Sequence, residues 1–464
     1  MAVIRDATVR FAAEVPVVVI GAGACGAVAA LAVRDQGLDV LMLERDAVPS
    51  GSTALSGGFV PGAGTRVQQA RAIDDDAERF AADIAARARG RADPVLVQAY
   101  AAASAPALDW LATQHGVAFE LVDGFLYPGH SVPRMHAVAE RSGAALLERL
   151  HASAARAGAD LLCAARAVDL VIDDTRRVRG VRYARSDGSQ DAVGCRALVL
   201  ACSGFGGDRR RVGQWLPELV AAPYYGHAGN QGDAIGWGEA LDAGFADMTG
   251  YQGHGSLATP HGILITWALM MKGGIQVNRD GVRFGDEQAG YSEAAVAVLE
   301  QPDSVAFDIY DARLHELGGQ FPEYREAQRA GALHRAADVP TLARRLGIDA
   351  DGLAATLAEI DALAAAGTAD RFGRRFPAAE RLQAPYYGVR VTGALFHTQG
   401  GLQIDATGRV LDRGGQALPN LFAAGGAARG VSGDAAWGYL SGNGLLSAVA
   451  GGFLAGAAAA RCVA

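Results

Sequence analysis

The chain has 464 residues, more than one ordinary core accommodates, so at least two domains are expected. Half of the residues are hydrophobic and a fifth are charged, which excludes a disordered chain. With 42 basic and 50 acidic side chains the formal net charge is −8, so there is no electrostatic footprint for nucleic acid or an anionic membrane. The five cysteines are odd in number and lack CxxC spacing, which argues against a disulfide framework or a zinc site. The first fourteen residues mix charges and do not read as a secretion signal. A cytoplasmic location is expected.

In chain order, Val15 to Ile20 reads as a strand, followed by a glycine-rich turn and an alanine-rich helix to Gln36. Gly37 ends that helix, and Asp39 to Leu43 reads as a second strand, completing a βαβ unit. Helical patterns follow near Arg71 to Arg89 and at Asp93 to Thr113, with Asp74 to Asp76 suited to a helix start. Val168 to Ile172, Val178 to Ala184 and Ala192 to Ala201 read as strands, the last two joined by a turn at Ser186 to Ser189. From about Thr249 to Phe396 strands and amphipathic helices mix, including one helical segment over Thr341 to Leu363. After His397 the chain returns to short strands, a glycine-rich loop and a final helix. Residues 435 to 460 carry no charge, but glycines and Ser441, Asn443 and Ser447 interrupt them. That stretch is expected to be a loop and a buried helix, without stable membrane insertion. The expected organisation is one domain, residues 1–248 and 397–464, interrupted by another, residues 249–396.

The run Gly21-Ala-Gly23-Ala24-Cys-Gly26 lies between a strand and a helix, and Glu44 ends the next strand about 20 residues on. Each part has a physical role. Gly21 permits the tight turn, Gly23 lets a pyrophosphate approach the backbone, and Gly26 lets the helix pack on the sheet. The helix N-terminus faces phosphate charge, and Glu44 accepts hydrogen bonds from ribose hydroxyls. A second small-residue loop, Ser50 to Gly58, follows and includes Ser52, Thr53, Ser56, Gly57 and Gly58. A nicotinamide domain rarely needs one there. A flavin does, because its pyrophosphate, ribityl chain and flat ring all need close backbone approach. FAD is the expected cofactor.

These motifs, with Gly229-Asn-Gln-Gly-Asp233 and the closing Leu421 to Asn443 segment, resemble the fumarate reductase/succinate dehydrogenase flavoprotein family. The soluble 3-ketosteroid Δ1-dehydrogenase branch is the nearer likeness at the active site. The resemblance implies an α/β fold: a Rossmann-like FAD-binding domain interrupted by an α+β capping domain, with chemistry where the cap meets the flavin ring. It implies further flavin contacts at Ala24, Gly204, Asp233, His397, Gly425, Asn443 and Leu445. His397 precedes a Gly400-Gly401 segment that touches flavin in the family. The early loop lacks the histidine that membrane-bound relatives join to FAD, so non-covalent binding is expected. One departure is Ala424-Gly425-Gly426-Ala427, where the family often carries a glutamate.

After the Asn278-Arg-Asp-Gly-Val-Arg-Phe284 turn, the family's proton-donating arginine position is held by Tyr291. The family's substrate-binding arginine before Leu-Gly-Gly-Asn is replaced by Tyr439, in Tyr439-Leu-Ser-Gly-Asn443. A dicarboxylate needs fixed cations. A ketone needs neutral donors that stabilise a developing enolate, and a base of matched pKa. Tyrosines are also ordinary packing residues. The resemblance assigns Tyr291 as base and Tyr439 as ketone donor, helped by a backbone N–H such as that of Asn443. His254 occupies the position of a substrate-facing histidine, and Tyr127, near His130, is a further candidate beside Tyr291. Arg134 and His254 are candidates to hold a carboxylate.

The expected activity is that of an FAD-dependent oxidoreductase acting on CH–CH groups. It desaturates a 3-ketosteroid, smaller cyclic ketone or oxo-acid, and passes its electrons to an external acceptor. The alternative is an ene-reductase of the fumarate reductase type, and a third reading is a flavin electron carrier without a substrate of its own.

Overall fold

A computed structural model describes residues 2–6, 8–123 and 126–463. The chain forms two compact units, the first comprising Met1–Leu216, Gly226–Tyr251 and His397–Ala464, the second Pro217–Tyr225 and Gln252–Phe396.

The first unit is built on a mixed sheet. Its central strand, Gln190–Leu200, runs parallel to Ala13–Ile20 and Ala417–Ala423, and Ala13–Ile20 in turn pairs with Val40–Leu43. The near-continuous apolar runs of these strands suit burial on both faces, and Val17, Val18 and Val19 are wholly buried. Val178–Arg185 lies antiparallel to Gln190–Leu200 across the expected turn. The first crossover helix, Ala24–Arg34, packs along the C-terminal helix, Asn443–Val463. Small residues permit that approach: a Cβ at Gly452 would lie 2.6 Å from the Cys25 carbonyl oxygen, and one at Gly456 would lie 2.8 Å from the Ala29 Cα. The C-terminal helix is long and apolar enough to cross a membrane by length and composition, and two thirds of its most apolar window is buried in this packing.

The second unit is a six-stranded sheet in the order Ile263–Leu264, Tyr251–Ala258, Tyr386–Thr398, Ala306–Asp311, Ile275–Val277, with Leu333–Ala336 added on Tyr386–Thr398. Two apolar clusters flank it. One gathers Trp267, Tyr310 and Tyr324, the other Phe307, Ile309 and Leu353.

Three local features differ from expectation. Pro217–Tyr225 falls inside the expected 1–248 segment but belongs to the second unit, because it adds to the edge of Tyr386–Thr398 through Leu395 N–H to Pro223 O (3.0 Å) and Tyr225 N–H to Leu395 O (2.8 Å). The single helix expected over Thr341 to Leu363 is two, Val339–Leu346 and Ala350–Ala366, separated where Gly347 turns left-handed at φ 72°. The leucine spacing runs through the break, so periodicity alone hides it. The Ser50 to Gly58 loop contains one helical turn, Gly51–Ala54.

Candidate active site

The glycine turn of the first unit has the geometry its sequence requires. Gly21 sits at φ 103°, and a Cβ there would lie 2.8 Å from the Ala201 carbonyl carbon. A Cβ at Gly26 would run into the Gly21 carbonyl. Gly23 caps the crossover helix with no side-chain hydrogen bond of its own, and the positive end of the helix dipole lies at this turn. The Ala24 N–H at this end is met by the Thr53 hydroxyl at 3.1 Å. Glu44 is buried. Its carboxylate accepts the Ala22 and Asp46 N–H groups, each at 3.0 Å, and stands beside the glycine turn. His151 donates to the Ala22 carbonyl at 2.7 Å and braces the same turn, a contact no sequence motif announces.

The second loop folds back on this turn. Ser52 Oγ accepts from the Asn230 side chain at 2.8 Å, which ties the loop to the Gly229–Asp233 run. Ser56 donates to Thr53 O (2.7 Å) and receives Gly58 N–H (3.2 Å), so its hydroxyl shapes the loop itself. Gly58, at φ 71°, lies against the Ser142 backbone, while Gly57 faces Phe59. Gly204 O receives the Gly232 N–H at 3.0 Å, joining two of the expected flavin segments. Gly425 has φ 59° and lies beside Cys25, bringing the turn Gly425–Ala427 to the crossover helix. Leu445, in the first turn of the C-terminal helix, packs partly buried against the core.

Several buried polar atoms here have no protein partner among the described residues: Asp233 Oδ1, Asn443 Oδ1 and Ser447 Oγ. Burial raises the Asp233 pKa against the nearby arginines, chiefly Arg166 and Arg45. A buried polar group without a partner costs free energy, so such atoms point to a polar ligand. The helix N-terminus at the glycine turn, the acid and these unfilled atoms fit FAD. Asn443 Nδ2 donates to Ser432 Oγ (2.9 Å), which donates to Gln399 Oε1 (2.8 Å). His397 accepts the Gln399 amide on Nδ1 at 2.8 Å, and burial lowers its pKa to about 4, so it is neutral with its proton on Nε2.

Tyr439 is buried at the start of the C-terminal helix, and its hydroxyl receives the Gly444 N–H at 3.3 Å. The expected amide partner, that of Asn443, is engaged elsewhere: it donates to Leu440 O at 3.0 Å. The turn Tyr439–Asn443 closes on itself and leaves Gly444 as the next amide to face the phenol. Tyr127 is half-buried, with its ring 6.2 Å from that of Phe59.

Arg134 does not hold a carboxylate ligand in this structure. It is buried, forks onto Asp75 (2.8 and 2.9 Å) and bonds Asp83 at 2.5 Å. It also meets His130 Nδ1, which leaves His130 to donate to Ser441 O at 2.9 Å. Burial lowers the His130 pKa to about 4.

In the second unit His254 lies on the strand Tyr251–Ala258. Tyr291, the first residue of the helix Tyr291–Leu299, stacks on it at 5.0 Å and 21°. Burial lowers the His254 pKa to about 3, and Nδ1 accepts Ser256 N–H at 3.1 Å. The ring is therefore neutral with its hydrogen on Nε2, a neutral donor rather than a cation for a carboxylate. Deeper in, Ser256 and Gln276 bond Asp308, whose pKa burial raises to about 7. Arg283 and Arg374 share Glu287, and Arg283 also bonds Asp370. Arg211, in the first unit, meets Asp208 and Glu239. All four buried arginines among the described residues thus have carboxylate partners.

A glycine turn between strand and helix, with a buried acid ending the next strand, is the pattern of a dinucleotide-binding domain. A family described as "FAD binding domain" matches residues 16–445. The chain belongs to this family of FAD-dependent oxidoreductases, with the fumarate reductase and succinate dehydrogenase flavoproteins as homologues. It is 29% identical over 449 residues to a fumarate reductase (cytochrome) of Shewanella frigidimarina, covering 96% of this chain and 77% of that one. It is 26% identical over 560 residues to 4-oxocyclohexanecarboxylate 2-dehydrogenase of Sinomonas cyclohexanicum, covering 96% and 95%. The crystal structure of 3-ketosteroid-Δ4-(5α)-dehydrogenase from Rhodococcus jostii RHA1 superposes with TM-score 0.78 at 27% identity, covering 98% of this chain and 99% of that one.

Proposed function

We propose that the protein is an FAD-dependent ketone dehydrogenase that forms a C=C bond α,β to a cyclic ketone. The observation that carries this reading is the pairing of the Tyr439 hydroxyl with the Gly444 N–H. Two neutral donors at a helix N-terminus suit a carbonyl oxygen that gains negative charge. The commitment of every buried arginine among the described residues to a carboxylate argues against a dicarboxylate such as fumarate. The ketone-dehydrogenating relatives also match the chain across nearly their whole length.

In this reading Tyr439 and Gly444 N–H take the ketone oxygen, and Gly444 exchanges the phenol oxygen for the substrate. The enolate so stabilised acidifies the α-carbon. Tyr291, as phenolate, takes the α-proton, and His254 offers its Nε2–H as a neutral donor. FAD, when bound, would supply the two-electron oxidation that turns the ketone into an enone. Glu44, the helix N-terminus at the glycine turn, Asp233 and Asn443 are the groups that would hold FAD. Tyr439→Phe is expected to lower kcat/KM for the ketone by roughly 10²–10³-fold with FAD content unchanged, the cost of one oxyanion donor. Steady-state kinetics with the flavin absorbance recorded in parallel check it, and a variant within threefold of wild type would remove Tyr439 from the site.

FAD is read as held without a covalent bond, since residues 45–58 contain no histidine, cysteine or tyrosine. Acid precipitation should leave the yellow colour in the supernatant; colour retained in the pellet would contradict this. The second reading, an alkene reductase with Tyr291 as acid, is favoured by the fumarate reductase relatives. Reoxidation of the reduced protein by an activated alkene, with no reduction by ketones, would select it.

A further inference from the structure

Four rings of the second unit form one stacked column, of which the reaction above uses two. Tyr225 stacks on Phe396 (centroids 4.7 Å apart, 26° between planes), Phe396 on His254 (5.2 Å, 25°) and His254 on Tyr291 (5.0 Å, 21°). Trp267 closes the side of His254 edge-on at 5.6 Å and is itself fixed by an indole N–H to Glu287 O at 2.9 Å. Each spacing lies in the range where aromatic faces attract.

The origin of the rings is telling. Tyr225 is the last residue of Pro217–Tyr225, Phe396 is the last of Gln252–Phe396, and His254 is the third residue of the latter segment. The column therefore gathers three of the points at which the chain enters or leaves this unit, and its far end is Tyr291. His254 cannot turn freely within it, because Ser256 N–H holds Nδ1 and Ser256 Oγ is anchored on Asp308. The helix that begins at Tyr291 is tied to the same strand by Gly253 N–H to Ser292 Oγ at 2.9 Å.

We propose that Phe396 and Tyr225 are positioning residues for Tyr291, acting through His254, so that the stacked column sets the plane of the Tyr291 ring. This rests on Tyr291 being the proton acceptor. Proton transfer needs the acceptor oxygen within hydrogen-bond reach of the α-carbon's proton, so a tilt of the ring is felt in turnover. Removing the ring at Phe396 also opens the face of His254, whose neutrality depends on burial.

The test compares FAD-loaded wild type with Phe396→Leu, Phe396→Tyr and Tyr225→Leu, using two readouts. In kinetics with a cyclic ketone, Phe396→Leu is expected to lose about tenfold or more in kcat with KM within threefold, while Phe396→Tyr, which keeps the ring, retains at least half of kcat. Tyr225→Leu, at the far end, is expected to show the same pattern at smaller size, and serves if Phe396→Leu does not fold. The second readout needs no substrate. In 15N-histidine spectra wild-type His254 stays neutral and protonated on Nε2 down to pH 5, whereas in Phe396→Leu it titrates at higher pH. Wild-type kcat together with an unmoved His254 signal in Phe396→Leu would overturn the proposal, as would a Phe396→Tyr loss equal to that of Phe396→Leu. If wild type turns over no ketone, the reading of the reaction fails, and the His254 signals alone decide whether the column holds its ring.

Discussion

Tyr291→Phe is expected to reduce kcat for ketone desaturation by about 10²–10⁴-fold, the usual contribution of a positioned acid–base group. The phenylalanine keeps the ring, so stacking on His254 survives and the loss reports the hydroxyl alone. FAD content should be unchanged, because the groups that fit FAD all lie in the first unit and Tyr291 lies in the second. Stopped-flow reduction of the flavin, with FAD content measured in parallel, checks both statements. A variant with wild-type flavin reduction would remove Tyr291 from the chemistry.

Gly26→Ala is expected to cost the protein its flavin. The added Cβ would run into the Gly21 carbonyl, which is backbone and cannot swing aside. Either the crossover helix moves off the sheet or the glycine turn opens, and both disturb the helix end where the phosphates of FAD would sit. Overpacking of this kind costs about 1–3 kcal/mol. If that falls on the bound state, FAD binding weakens by roughly 5–150-fold. The ratio of flavin to protein absorbance after gel filtration checks it. Added FAD should raise the Tm of wild type more than that of the variant. Gly37→Ala is a useful control. That glycine has positive φ and open space around it, so alanine there is expected to cost about 1–2 kcal/mol of backbone strain but no flavin.

The glycine turn was legible because its constraints are local. A turn with no room for a Cβ demands glycine at positions 21 and 26, and the crossover helix starts in the next residues. The sheet was legible for a similar reason, since strands buried on both faces must be continuous apolar runs. Contacts set by long-range packing were not. The amide that meets Tyr439 is that of Gly444 rather than Asn443, because the turn after Tyr439 consumes one amide before the helix starts. Arg134 reads in sequence as a candidate anion ligand, but Asp75 and Asp83, about fifty to sixty residues upstream, use its guanidinium. Phe396 carries no motif at all. Its place between Tyr225 and His254 appears only when three distant segments are brought together.

Ketone desaturation by this protein is tested most directly under anaerobic conditions. The flavin absorbance of the purified yellow protein is followed as cyclohexanone-type ketones and then a 3-ketosteroid are added. Bleaching of the oxidised flavin by a ketone is expected, with one enone formed per flavin reduced. Flavin that stays oxidised with every ketone, but is reoxidised after dithionite reduction by an alkene such as fumarate, would contradict it.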